Sequence, residues 1–391
     1  MRVASSYSPS SSDAPTKAGF GRFNGLLALS ITLPILTVGL SNWWVNPYGV
    51  TQAPVVTGWN QKRSGTNKND RLFKAAQIMQ QRPVAVMVGS SRTKQGMDPD
   101  TELLPEGTYN LGLNGSTAHE LQRYLEHAIA NNPDLQQVVV GIDFFMFNGH
   151  RTVESTFSED RLGKRRLPVG DHLATLLSLD ATAESWATIQ GSRDHDAAAR
   201  PTNGFAPTTK AKDGNTQWRF NQAIKDYFGY HADYELSTEQ LDAFRALVEV
   251  CRDRNIDLVV FISPSHAVQW ETIRATGHWQ TFETWKRELV SIIPVWDFSG
   301  YNSITTEPIA DVMQNYSDSS HYLPSVGDIV LQQSLGSTTA SPKDFGIWLT
   351  PENIDAHLEQ IRLDREAWAI DNQEWIEKVE KHYKKFNDTT S

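Results

Sequence analysis

Four short runs in this chain are apolar at nearly every position: PVAVMVG (83–89), LQQVVVGIDFFMF (135–147), IDLVVFISP (256–264) and IIPVWDF (292–298). A strand with one wet face alternates apolar and polar residues. Runs without that alternation suit strands covered on both faces, as in a parallel sheet. Segments of helical spacing precede the first run, at 71–81, and lie between the others, at 117–132, 237–255 and about 278–290. In the second of these, Leu121, Tyr124, Leu125 and Ala128 share one face, and in the third Ser237 or Thr238 serves as N-cap. Such strand–helix alternation predicts an α/β fold with right-handed crossovers.

The remaining segments frame this core. Residues 1–22 read as a disordered tail, rich in Ser, Pro and Ala up to residue 19. Between Arg22 and Lys62 no charged residue occurs, and Gly25 to Val45 is long enough to cross a bilayer as a helix. Trp43 and Trp44 stand where an interfacial aromatic belt belongs. The stretch 23–45 is too long for a signal-peptide core and reads as an uncleaved signal anchor. Lys17 and Arg22 abut it on the N-terminal side, which predicts a cytoplasmic N-terminus and an external body. Residues 46–82 are a connector rich in Pro and Gly, with the helix at 71–81 at its end. The polar segment 148–235 interrupts the alternation as an insertion or cap, with one helix expected at 171–190. From Thr350 and Pro351 a single C-terminal helix is expected over 350–386.

Charge and composition exclude some classes. A net charge of −10 argues against a nucleic-acid surface. The lone cysteine, Cys251, makes neither an internal disulfide nor a zinc cluster. RDHD (193–196) offers metal-binding side chains, but consecutive residues chelate poorly, so no metal and no cofactor are expected. Twelve tryptophans are many; most belong in a core, and exposed ones stack on sugars.

Sites in α/β sheets lie beyond the carboxyl ends of the strands. The first apolar run ends in Gly89, Ser90 and Ser91. Glycine permits a sharp turn, and a serine opening the next helix lifts its hydroxyl off the sheet with its own N–H free to hold an oxyanion. A serine nucleophile needs a base, and NYSDSSHYLPSVGD (315–328) supplies Asp318 three residues before His321.

A Gly-x-Ser after the first strand and a late Asp-x-x-His together resemble the SGNH/GDSL hydrolase family over residues 83–335. The resemblance implies a three-layer α/β domain, Ser91 as nucleophile, His321 as general base and Asp318 as its orienting acid. The family's opening motif usually has Asp where this chain has Ser90. YNLGLNGST (109–117) stands where the family's second block has a glycine, which makes Gly112, Asn114 and Gly115 oxyanion candidates. The third block, Gly-x-Asn-Asp, is absent; GIDFFMFN replaces it and brings Asp143 or Asn148 to the site. Arg92 is a candidate for an anionic substrate group or for an ion pair that ties down the serine loop. His266 and Trp270, after the third apolar run, are further substrate-binding candidates. With its anchor, the chain is similar to membrane-anchored D-alanyl transfer proteins and alginate O-acetyltransferase-like proteins. That similarity implies acyl chemistry on a cell-envelope or exported polysaccharide, beside a membrane-bound O-acyltransferase. Acceptors other than sugar (water, for an esterase) stay open, as do a non-catalytic glycan-binding module and an assembly subunit.

Overall fold

The computed structural model describes residues 17–193, 202–208, 215–336 and 342–390. Six strands form one sheet: β1 (Ala85–Val88), β2 (Tyr109–Asn110), β3 (Gln137–Ile142), β4 (Asp257–Ile262), β5 (Val295–Asp297) and β6 (Ile347–Leu349). Their order is β2-β1-β3-β4-β5-β6. The first five run parallel, and β6 joins β5 antiparallel. The four apolar runs are β1, β3, β4 and β5, in register so that Val86 pairs with Val138 and Val138 with Leu258.

Helices α1 (Lys17–Val45), α2 (Gly65–Lys68) and α3 (Asp70–Gln81) precede β1, and α4 (Ser91–Gly96) follows it. α5 (Ala118–Asn131) joins β2 to β3. α6 (Val169–Leu177), α7 (Leu179–Ser192), α8 (Thr216–His231) and α9 (Thr238–Asp253) lie between β3 and β4. α10 (Ala267–Ala275) and α11 (Trp279–Ile292) precede β5, and α12 (Pro324–Ser334) precedes β6. α13 (Ile354–Asp371) and α14 (Gln373–Thr390) follow β6.

The sheet is covered on both faces, which is why its strands do not alternate. Val86, Val88, Val138, Val140, Val260 and Ile262 pack with α5, α9 and α11 in one core. Met87, Val139 and Phe261, between them in sequence, point the other way and meet Met97, Tyr322, Val326 and Val330 in a second. Leu121 and Leu125 of α5 are fully buried; each such side chain contributes about 1.5–3 kcal/mol. α5 begins at a capping box, with Thr117 accepting from the Glu120 N–H while Glu120 accepts from the Thr117 N–H. Ser237 caps α9 through the Gln240 N–H. The strand order reverses direction between β1 and β3, and the crevice beyond their carboxyl ends is where such sheets hold ligands.

Several boundaries differ from expectation. The helix expected at 171–190 is two, α6 and α7, because Ser178 turns to extended backbone and caps α7 through the Ala181 N–H at 2.9 Å. The expected C-terminal helix is likewise two. Residues 351–353 form a turn in which the Asn353 side chain accepts from the Thr350 N–H, and α13 ends where Asn372 donates its side-chain amide to the Trp368 carbonyl. The tail residues 1–16 lie outside the described residues, and α1 already begins at Lys17. Its segment Phe20–Val45, with a mean hydropathy of 1.8, is long and apolar enough to span a membrane. α1 is joined to the body at Asn42, which is buried and donates to the Leu176 carbonyl at 2.8 Å while accepting from Ser185 Oγ at 2.7 Å.

Candidate active site

β1 stops at a glycine because nothing larger fits. A Cβ on Gly89 would stand 2.0 Å from Thr93 Oγ1 and 2.9 Å from the Gly141 carbonyl. Thr93 of α4 thus seats directly on the backbones of β1 and β3. Ser90 then caps α4: its Oγ accepts from the Arg92 N–H at 3.1 Å and donates to Asp143 Oδ2 at 2.5 Å. Asn110 holds the other end of α4 by donating to the Thr93 and Met97 carbonyls at 2.9 and 2.7 Å. Ser91 is the first residue of this short helix, half-buried, and its N–H has no acceptor among the described residues.

Residue 321 reaches Ser91 through close backbone packing. A Cβ on Gly327 of α12 would overlap the Gly96 carbonyl, and one on Gly96 would overlap the Tyr322 ring. These two glycines press α12 and the loop before it against α4. Tyr316 and Tyr322 pair as an antiparallel bridge that pinches the loop, and the Ser317 N–H donates to the His321 carbonyl at 3.0 Å. His321 Nε2 lies 2.8 Å from Ser91 Oγ. On the far side of the ring, Nδ1 lies 2.9 Å from Asp318 Oδ2 and 3.1 Å from Oδ1. Asp318 Oδ1 also accepts from the Ser320 and His321 N–H groups at 2.8 and 2.9 Å. Burial pushes the Asp318 carboxyl up, but the facing imidazole and these amides outweigh it and hold the group below the usual carboxylate range. An ionised Asp318 takes the Nδ1 proton as a hydrogen bond, which leaves the Nε2 lone pair facing the serine.

Arg92 supports this arrangement without reaching the crevice. It is 3% exposed and pairs with Asp143 Oδ1 at 2.6 Å. Its Nε donates to Ser320 Oγ at 3.0 Å, next to His321, and its guanidinium lies over the rings of Phe145 and Tyr227. The side chain therefore ties the serine helix to the end of β3 and to the histidine loop. Asp143 is spent on Ser90 and Arg92 and is equally buried. Asn148 is buried and donates to the Tyr230 carbonyl at 3.0 Å. His266 caps α10, accepting from Val268 N–H through Nδ1 while its Nε2 donates to the Glu307 carbonyl at 2.8 Å. Trp270 is 3% exposed and packs on Phe282. None of Arg92, Asp143, His266 and Trp270 lines the crevice: all four are buried, and Arg92 takes the second of its two expected roles, the ion pair that ties down the serine helix.

The three oxyanion candidates separate as well. Gly112 donates its N–H to Asn110 Oδ1 at 2.9 Å and presses on the Lys94 backbone, away from the crevice. Asn114 is held by α3: its N–H donates to Asp70 Oδ2 at 3.0 Å and its carbonyl accepts from Arg71 at 3.0 Å. Its side-chain oxygen accepts from Lys94 at 3.3 Å. Gly115, with φ +57°, lines the crevice beside Ser91. Its carbonyl accepts from Arg151 at 2.6 Å, and its N–H has no acceptor among the described residues.

The crevice has a volume of about 290 Å³. Ser91, His321, Asp318, Gly115 and Phe145 form its base, and α8 supplies one wall through Trp218, Arg219, Gln222, Asp226, Tyr227 and Tyr230. Trp218 is 61% exposed. The sequence reading missed this wall. The only signal for it was the number of tryptophans, because which of them faces a cleft depends on how α8 docks. Among the described residues no group of three or more His, Cys, Asp or Glu is arranged to hold a metal; Asp194, His195 and Asp196 lie outside those residues.

A hydroxyl, an imidazole and a carboxylate in line, with unpaired backbone N–H groups nearby, can open and re-form acyl esters. Comparison with known family models finds no match, and comparison with curated proteins finds none either.

Proposed function

We propose that this chain is a membrane-anchored, extracytoplasmic serine O-acyltransferase or esterase acting on acyl groups of a cell-envelope or exported polysaccharide. The carrying observation is the line Ser91 Oγ–His321 Nε2–Asp318, at 2.8 and 2.9 Å. In the proposed cycle Ser91 Oγ attacks the acyl carbonyl while His321 takes its proton. The tetrahedral oxyanion is met by the Ser91 and Gly115 N–H groups. His321 then protonates the departing alcohol, leaving an acyl-serine. An incoming sugar hydroxyl or water gives its proton to His321 and takes the acyl group, which restores Ser91.

The exposed indole of Trp218 on the crevice wall supports a sugar-bearing substrate, since an indole face stacks on a pyranose. α1 supports a membrane location. A membrane-bound O-acyltransferase that hands over the acyl group is the partner implied by resemblance.

The test is labelling of the folded chain with a fluorophosphonate. The expected result is one adduct on Ser91, absent in Ser91→Ala and strongly slowed in His321→Ala. An unlabelled Ser91 in folded protein, together with unchanged polymer acylation in Ser91→Ala, would overturn the reading. Saturable glycan binding that survives both substitutions would then leave a binding module.

A further inference from the structure

α1 does not leave the body through a polar surface. Where it enters, its Gly39 touches Leu177 of α6, with room for a Cβ only 3.1 Å from Leu177 Cδ2. Leu177 is nevertheless partly exposed, and Leu173, one turn earlier on the same face of α6, is 53% exposed. Across the corner at Ser178, Leu179 is 88% exposed and Trp186, two turns further on the same face of α7, is 62% exposed. A second segment adds to this apolar ring: Val55 and Trp59 are exposed, and their loop is tied to α1 by the Asn60 side chain, which donates to the Trp44 carbonyl at 3.2 Å. Two stretches of chain far apart in sequence therefore present large apolar side chains around the same end of the same apolar helix. A soluble surface seldom does this.

Basic residues border that ring. Lys164, Arg165 and Arg166 are exposed immediately before α6. Arg165 and Arg166 join Arg82, at the end of α3, around a cavity of about 510 Å³ that His172 of α6 also lines. None of the three arginines has a carboxylate partner among the described residues, although the chain as a whole carries a charge of −10. An amphipathic helix flanked by unpaired cations is the pattern of an element that lies in a membrane interface. There the apolar side enters the acyl region and the cations meet phosphates.

We propose that the α6–α7 corner and the 55–59 loop are a second membrane contact. In it Leu173, Leu177, Leu179 and Trp186 enter the leaflet beside α1, and Arg82, Arg165 and Arg166 bind the headgroup phosphate of an anionic phospholipid. This rests on the reading of α1 as a membrane span. The occupant is the bilayer itself, because the patch is continuous with the span and carries the charge complementary to anionic lipid.

The test uses the chain reconstituted in lipid nanodiscs, with single spin labels at Leu33→Cys, Leu173→Cys, Leu179→Cys or Ile370→Cys. Cys251 is buried, so labelling goes to the introduced thiol. Accessibility to oxygen against a water-soluble nickel chelate reads immersion. The expected result is an oxygen-to-nickel ratio several-fold higher at 173 and 179 than at 370, an exposed position on α13, which packs on α11 and α14. In discs containing phosphatidylglycerol, Arg165→Glu with Arg166→Glu lowers the ratio at 173; in phosphatidylcholine alone it does not. Position 33 separates two failures. If 33 is immersed while 173 and 179 are as aqueous as 370, the docking surface is wrong, the anchor stands, and a protein partner covers the patch instead. If 33 itself is aqueous, both the anchor and the docking surface fail.

Discussion

Asp318 does two jobs with one carboxylate. Oδ1 closes the loop on the Ser320 and His321 amides, and both oxygens face the imidazole. Asp318→Asn keeps an oxygen for the amides but turns an NH₂ donor toward Nδ1. The ring then carries its proton on Nε2, and Ser91 loses its base. The expected cost is roughly 10⁴-fold in turnover, with the loop and the fold intact. Fluorophosphonate labelling rates alongside circular dichroism check it; a labelling rate within a few-fold of the parent would contradict the assigned roles. Trp218 is predicted to act on binding alone. If polysaccharide is the substrate, as proposed, Trp218→Ala is expected to raise its KM by about two- to tenfold, as loss of a stacking contact does, while labelling by a small phosphonate keeps its rate. Each half of the Ser91–His321–Asp318 line was legible in the sequence because it is local: Ser91 follows directly on a strand, and Asp318 and His321 lie within one tight loop; their meeting across 230 residues rests on the packing of α12 against α4. Trp218 was not, since its meaning arises only when α8 docks over the crevice. Nor could spacing decide between the two roles of Arg92, because its carboxylate lies 51 residues further along the chain.

At the scale of elements, α4 is a six-residue helix that could not hold its place alone. Backbone contact at Gly89 and Gly96, side-chain ties from Asn110, and the Arg92–Asp143 pair fix it. Breaking a buried pair by removing one partner costs about 3–5 kcal/mol, because the remaining charge is stranded. Arg92→Gln is therefore expected to lower stability by about that much, read from urea midpoints. The double variant Arg92→Leu with Asp143→Leu should recover much of the stability and little of the labelling, since nothing then ties Ser320 to the serine helix. Equal recovery of both would show that Arg92 only fills space. The central strands were readable because burial on both faces leaves an unbroken apolar record. β2 and β6, at two and three residues, leave almost none. The breaks at Ser178 and Asn372 were missed for a related reason: a side-chain cap outcompeted a helical pattern that continued on both sides.

Across the whole molecule, acid should act first on histidines. Burial pushes His266 down to about 4, against a smaller opposing effect of the Glu307 carbonyl. Burial, with help from the nearby charge of Arg92, pushes His231 down to about 3. Both bind a proton more readily when unfolded, near pH ~6.5. Their contribution is complete above that pH and is lost as pH falls through it toward the folded values. For His266 alone it amounts to about 3 kcal/mol. The melting temperature is expected to fall steadily from pH 6.5 to 4, before carboxylates such as Asp318 and Asp70 begin to take up protons. His266→Asn keeps an acceptor for the α10 cap and should flatten part of the slope; an unaltered slope would assign the acid sensitivity elsewhere.

Asn42 grips two helices of the body from inside the end of α1. A chain fastened by a loose leash would sweep this crevice over a wide hemisphere. On the proposed reading, with α1 set in lipid, this grip holds the crevice at one altitude and one tilt. The proposed acyl donor would then be delivered to that altitude, and the proposed polymer would thread past it. On the same reading, exchanging α1 for a floppy lipidated tail is expected to retain membrane attachment and deprive the crevice of its aim.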